Sequence, residues 1–220
     1  MTAIALAEAI SQLDLRFGAR TVATAAATAE RGRERRFATG TSFDRVSGGI
    51  TPGAALALVG EGTCGKVTLA LRAVAGAQKG GGLALWVDPA RSFDPVAAQR
   101  CGVDVARVVV VRARTFDEVV LAAGAALRSV GFRLVVVDLG PSFAQAGSAD
   151  RLAPLLPNVR GSTAALIVVA DQPPRRVDLP SYAFERVAWE RHHGRTVGWS
   201  FAVRKVGDPV EERAVLAEAV

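Results

Sequence analysis

Apolar residues along this chain fall into short runs of Val, Leu and Ala, separated by segments with helical spacing. Residues 55–59, 83–87, 108–112, 134–137 and 164–170 read as strands. Most are near-continuously apolar rather than alternating, the pattern of strands covered on both faces. Between them, 67–77, 95–100 and 115–130 read as helices, and 151–160 as a weaker helical stretch. Strand and helix in alternation predict an α/β fold with a mostly parallel sheet flanked by helices. Two late segments, 187–191 and 199–204, read as an antiparallel pair joined by His192-His193-Gly194-Arg195. Near the start, Ile4, Leu6, Ile10, Leu13 and Phe17 share one helical face. They predict an amphipathic helix over 4–17, ended by Gly18.

A small, polar stretch over 21–30 leads into Arg31-Gly32-Arg33-Glu34-Arg35-Arg36. This shift in composition divides the chain into a helix with a basic linker, 1–36, and a core domain, 37–220. Two readings of Arg33, Arg35 and Arg36 are open: a solvated linker, or a basic arm for DNA or a protein partner. The 27 Lys and Arg against 21 Asp and Glu leave a net charge of +6. That favours an acidic partner such as nucleic acid, although an arginine-rich coding bias produces the same charge without a ligand. Cys64 and Cys101 lack metal-site spacing, so reduced cytosolic thiols and no metal site are expected. The first residues carry acids early and show no cleavage pattern, so no signal peptide is expected. No run approaches the roughly 20 apolar residues of a membrane span, and a cytoplasmic protein without a membrane partner is expected.

Candidate chemistry sits where the first strand gives way to a helix. Gly60-Glu61-Gly62-Thr63-Cys64-Gly65-Lys66 fits G-x-x-x-x-G-K, a phosphate-binding loop. Such a loop turns its backbone N–H groups inward around an anion and aims a helix N-terminus at it. The lysine adds a point charge. The next position normally supplies a Ser or Thr hydroxyl to magnesium, and here it is Val67. Thr68 follows, but one helical step rotates a side chain by about 100°, which predicts that Thr68 points away from the phosphates.

Several motifs together resemble the RecA recombinase core. They are Phe37-Ala38-Thr39-Gly40-Thr41-Ser42-Phe43-Asp44, the loop Gly60–Lys66, Leu85-Trp86-Val87-Asp88 with Asp94-Pro95, Gly102-Val103-Asp104, and Val135-Val136-Val137-Asp138. Their order and spacing follow that family from about residue 5 to 209. The resemblance implies a RecA-like phosphate-loop core preceded by a protruding N-terminal helix, which in that family packs on a neighbouring protomer. It implies a metal-facing Asp138 and a γ-phosphate-sensing Gln172. Asp94 would lie at the nucleotide site, and Lys205 resembles a lysine that reaches a neighbour's nucleotide.

The departures shape the functional expectation. The family's water-activating glutamate corresponds to Ala90, and its adenine-stacking aromatic to Ala97. Loss of the magnesium hydroxyl and of the general base each costs on the order of 10²-fold or more in rate. No catalytic residue is therefore expected. Gly60, Gly62, Thr63, Gly65 and Lys66, with Val67 and Thr68 beside them, are expected to form a residual cradle that holds ATP or ADP weakly or not at all. The segments that hold DNA in recombinases are short here. Arg175 and Arg176 stand in one of them, a weak candidate for contact with single-stranded DNA. No further domain is expected after the core. These features are most similar to the ImuA group. That likeness implies a role in DNA-damage-induced translesion synthesis, beside an ImuB-like Y-family polymerase homologue, an error-prone replicative-type polymerase and RecA. The helix bearing Ile4, Leu6, Ile10, Leu13 and Phe17 would be the docking element. The alternative is a RecA-like DNA-dependent ATPase with a rearranged site. Asp138 is open to three readings: a metal ligand, a helix cap, or the ion-pair partner of Lys66. Trp86, Trp189 and Trp199 are expected in the core or on sheet faces, and His192 and His193 at the surface.

Overall fold

Eight strands form one sheet in the order β3-β2-β4-β5-β1-β6-β7-β8. The strands are β1 (Ala55–Val59), β2 (Leu83–Val87), β3 (Val108–Val111), β4 (Phe132–Asp138), β5 (Ala165–Ala170), β6 (Ser181–His192), β7 (Arg195–Lys205) and β8 (Glu211–Ala217). The computed structural model describes residues 36–140, 143, 148–208 and 211–217, with 11, 12 and 15; for 196, 199 and 211–217 it describes the backbone alone. The proposed docking residues Ile4, Leu6, Ile10, Leu13 and Phe17, together with Arg33 and Arg35, lie outside the described residues. The chain divides into two compact units, Met1–Arg36 and Phe37–Val220. Only the second carries the sheet.

The first six strands in sheet order run parallel, and β7 and β8 close the sheet in antiparallel fashion. Five helices accompany them among the described residues of this unit. They are α1 (Phe43–Ser47), α2 (Lys66–Gln78), α3 (Pro95–Arg100), α4 (Phe116–Arg128) and α5 (Leu156–Arg160). The apolar runs are explained by two cores, one on each face. Leu56, Leu58, Trp86, Leu134, Val136 and Ile167 pack with α2 on one side. Ala57, Val59, Val87, Val135, Val137 and Val168 pack with α4 on the other. Consecutive strand residues point to opposite faces, so burying both faces requires an unbroken apolar run.

Helix starts follow local chemistry. Thr115 Oγ1 accepts from the Glu118 N–H at 3.2 Å, and the Glu118 carboxylate accepts from the Arg114 N–H at 2.6 Å, close to a reciprocal capping box. Pro95 opens α3 behind an Asp94 cap.

The strands β4, β6 and β7 begin earlier than the sequence expectation, and β8 is additional. The strand β6 begins at Ser181, not 187, because its first residues pair in parallel with β1 before the rest turns to β7. Its mixed sequence hides this double role. The strand β8 was not expected at all; it is an edge strand paired only to β7. An edge strand needs no buried second face, so its apolar signature is weak.

Candidate functional site

The loop leaves β1 at Gly60, whose φ is 154°. A Cβ there would lie 2.4 Å from the Phe184 carbonyl oxygen and 2.7 Å from Cys64 Sγ, so only glycine fits where the loop passes under β6. Gly65, at φ 97°, turns the chain into α2. No side chain caps that helix, and its first N–H groups face the loop for an acceptor from outside.

Lys66 is only 7% exposed. Its Nζ donates to the Gly60 carbonyl, to the Gly62 carbonyl at 3.4 Å, and to Asp171 Oδ1 at 2.7 Å. Its ion-pair partner is therefore Asp171, not Asp138. Strand order supplies the reason: β5 lies directly beside β1, so the residue after β5 meets the loop, whereas β4 is one strand further out.

Asp138 meets Asp88 instead, at the ends of the adjacent strands β4 and β2. Asp88 is fully buried and accepts from the Ser92 N–H (2.8 Å), the Ser92 hydroxyl (3.3 Å) and the Phe93 N–H (3.0 Å). Asp138 accepts from the Gly140 N–H at 3.2 Å and from Ser92 Oγ at 3.4 Å. Burial first, and the Asp88 charge second, push the Asp138 carboxyl up to about 6; Gly140, Lys66 and Ser92 pull the other way. Among the described residues no group of three or more His, Cys, Asp or Glu side chains is placed to hold a metal ion.

A cavity of about 420 Å³ opens over the loop, lined by Gly62 to Thr68 and by Trp189. Val67 is 39% exposed and forms part of its wall. Thr68 also lines this cavity. Cavity walls extend beyond the phosphate nest itself, so a residue one helical step on still borders the space. From β6, Arg186 donates to Thr63 Oγ1 at 3.0 Å, and its guanidinium sits 4.9 Å from the centre of the Trp189 ring.

The remaining candidates are dispersed. Asp94 caps α3, accepting from the Val96 N–H at 2.8 Å and the Ala97 N–H at 3.2 Å. Gln172 is exposed after β5. Arg175 and Arg176 have exposed side chains, while their backbone N–H groups bind Asp150 Oδ1 at 2.9 and 2.7 Å. Arg36 and Lys205 are exposed, as are His192 and His193 at the β6–β7 turn. Trp86 is buried in the core, but Trp189 is 52% exposed.

Sequence reasoning did not assign Asp171, Arg186 or Trp189 to the site. Arg186 and Trp189 are three apart, which in a regular strand places them on opposite faces. The pairing shifts between Arg186 and Ala188, so Val187 is an extra residue. That bulge restores both side chains to the loop side, and no residue type announces it.

Residues 4–147 match the RecA N-terminal domain family. The chain belongs to that family. RecA relatives include Protein RecA of Roseiflexus sp. (strain RS-1), 34% identical over 137 residues that cover 61% of this chain and 39% of the relative. Protein RecA of Acidiphilium cryptum (strain JF-5) is 37% identical over 91 residues, covering 41% of this chain and 26% of the relative. The matched stretch thus spans well under half of these RecA proteins. RecA-family membership makes a nucleotide with magnesium the group to test against the site. The glycine loop, the uncapped α2 N-terminus and Lys66 fit a nucleotide's phosphates. Val67 supplies no oxygen at the position beside them, so the loop itself does not fit the metal. No helix among the described residues is long and apolar enough to cross a membrane.

Proposed function

We propose that this RecA-family chain is a non-catalytic accessory protein of DNA-damage-induced mutagenesis, of the ImuA kind. It binds an ImuB-like polymerase homologue and acts with RecA and an error-prone replicative-type polymerase at single-stranded DNA. Its loop retains ATP or ADP weakly, as a structural or signalling ligand.

The observation that carries this reading is the engagement of the carboxylates at the ends of β2, β4 and β5, Asp88, Asp138 and Asp171, by hydrogen bonds within the fold. Ala90 stands where the family's glutamate falls. Asp88 is fully buried and accepts three hydrogen bonds. Asp171 is held by Lys66 at 2.7 Å. General-base catalysis requires a free carboxylate within hydrogen-bond reach of the attacking water. A fold kept without that group serves through its surfaces.

Association is the test. The full chain and a purified ImuB-like polymerase homologue should co-elute in size-exclusion chromatography without nucleotide, and Lys66→Ala should leave the complex intact. Phe17→Asp with Leu13→Asp should weaken it by about tenfold or more, the size of a lost anchor residue. Absence of a complex, or a complex that needs ATP turnover, would contradict the proposal.

A second reading, a RecA-like DNA-dependent ATPase with rearranged chemistry, draws support from one observation. Thr68 borders the same cavity as Lys66. Turnover lost on both Thr68→Ala and Lys66→Ala would establish it.

A further inference from the structure

The cavity over the loop has a wall that phosphate binding alone does not require. Trp189 is half exposed, and its indole borders the space above Gly62–Thr68. Arg186 ties the loop to that wall, bonded to Thr63 at one end and set against the indole at the other. Both depend on the single extra residue in β6. An indole presented beside a phosphate nest is a stacking surface for a nucleobase, and a guanidinium beside it strengthens both contacts.

The chemistry of the walls narrows the ligand. Lys66, ion-paired with Asp171 at 2.7 Å, and Arg186, bonded to Thr63, border the nest. Beside them Val67 offers a hydrocarbon surface where a magnesium ion needs oxygen. Two cations, one of them offset by Asp171, and no metal oxygen from Val67 suit a diphosphate better than a triphosphate, whose extra charge is normally carried by magnesium. A cavity of about 420 Å³ lies within the range of small-molecule sites and has room for a base and a short phosphate chain.

We propose that Trp189, held by Arg186, is the base-stacking wall of a site that takes a nucleoside diphosphate without magnesium. The proposal rests on the reading above that the loop still holds phosphate. It moves base recognition from the position of Ala97, which has no ring to offer, to a strand on the other side of the loop. Because Trp189 is half exposed and outside both cores, its replacement leaves the packing of the sheet intact.

Isothermal titration of the full chain with ADP and with inorganic pyrophosphate tests it. ADP should bind equally well in EDTA and in excess magnesium. Trp189→Ala should weaken ADP by about tenfold, the size of one base–aromatic stack, and leave pyrophosphate unchanged. Trp189→Phe should retain most of the affinity. Lys66→Ala should weaken both ligands. ADP binding indifferent to Trp189→Ala, alongside normal pyrophosphate binding, would overturn the stacking wall while sparing the phosphate cradle. So would equal losses for both ligands, or a requirement for magnesium. Failure of both ligands to bind the unaltered protein would overturn the cradle and the wall together.

Discussion

Gly76→Ala is expected to destabilise the core by about 3 kcal/mol, the upper end of overpacking costs. Helix propensity alone predicts the opposite sign, since Gly to Ala inside a helix gains about 1 kcal/mol. Position decides the outcome. A Cβ on Gly76 would lie 2.1 Å from the Ala38 carbonyl oxygen and 3.1 Å from its carbon. The obstacle is backbone, and it cannot swing aside as a side chain end could. Ala38 follows Phe37, which is fixed by a two-bond bridge to Ile50, 3.0 Å in each direction. Moving it would disturb the segment that leads into β1; otherwise α2 would have to shift away from Ala38 and carry Lys66 with it. Urea unfolding, followed by circular dichroism, should show a lower midpoint with an unchanged slope. A midpoint equal to or above that of the unaltered protein would contradict the close approach.

Asp138→Asn is expected to stabilise the protein above pH 6 and to have little effect near pH 4. The unfolded carboxyl titrates near 3.8, and the folded one is pushed up to about 6. Between those values the folded protein keeps a proton that the unfolded chain has released. This group's contribution is therefore complete below about pH 4, declines as pH rises to about 6, and is absent above. Two units of displacement correspond to roughly 3 kcal/mol, an order-of-magnitude figure. Asparagine removes the titration, still accepts from the Gly140 N–H, and can donate to Asp88. The measurement is the difference in unfolding free energy between the two proteins at pH 4, 5, 6 and 7.5. A difference that stays flat, or that favours aspartate at high pH, would show that Asp138 is charged at no cost and that its environment is more polar than its 3% exposure implies.

Much of the fold was legible because burial on both faces writes itself into composition. The run 83–87 and the helix 95–100 were read with the bounds they have, and the loop at Gly60–Lys66 was found from glycine spacing. Strand order was not legible. Asp171 follows β5 by one residue, and only the placement of β5 beside β1 brings it to Lys66. Asp138 and Asp88 become neighbours for the same kind of reason. The start of β6 was missed because residues 181–183 serve a parallel partner, whereas the rest of the strand serves an antiparallel one. The wall of Arg186 and Trp189 was missed because a bulge inverts the face that alternation assigns. Each omission concerns a relation between elements rather than a property of one.

Loss of chemistry with retention of the scaffold is most directly tested by phosphate release from ATP in excess magnesium, with and without single-stranded DNA, over many hours. Release should stay at the uncatalysed background in both conditions, and Lys66→Ala should leave the trace unchanged. Steady release above background that disappears in Lys66→Ala would contradict the central claim and return the site to the working members of the RecA family.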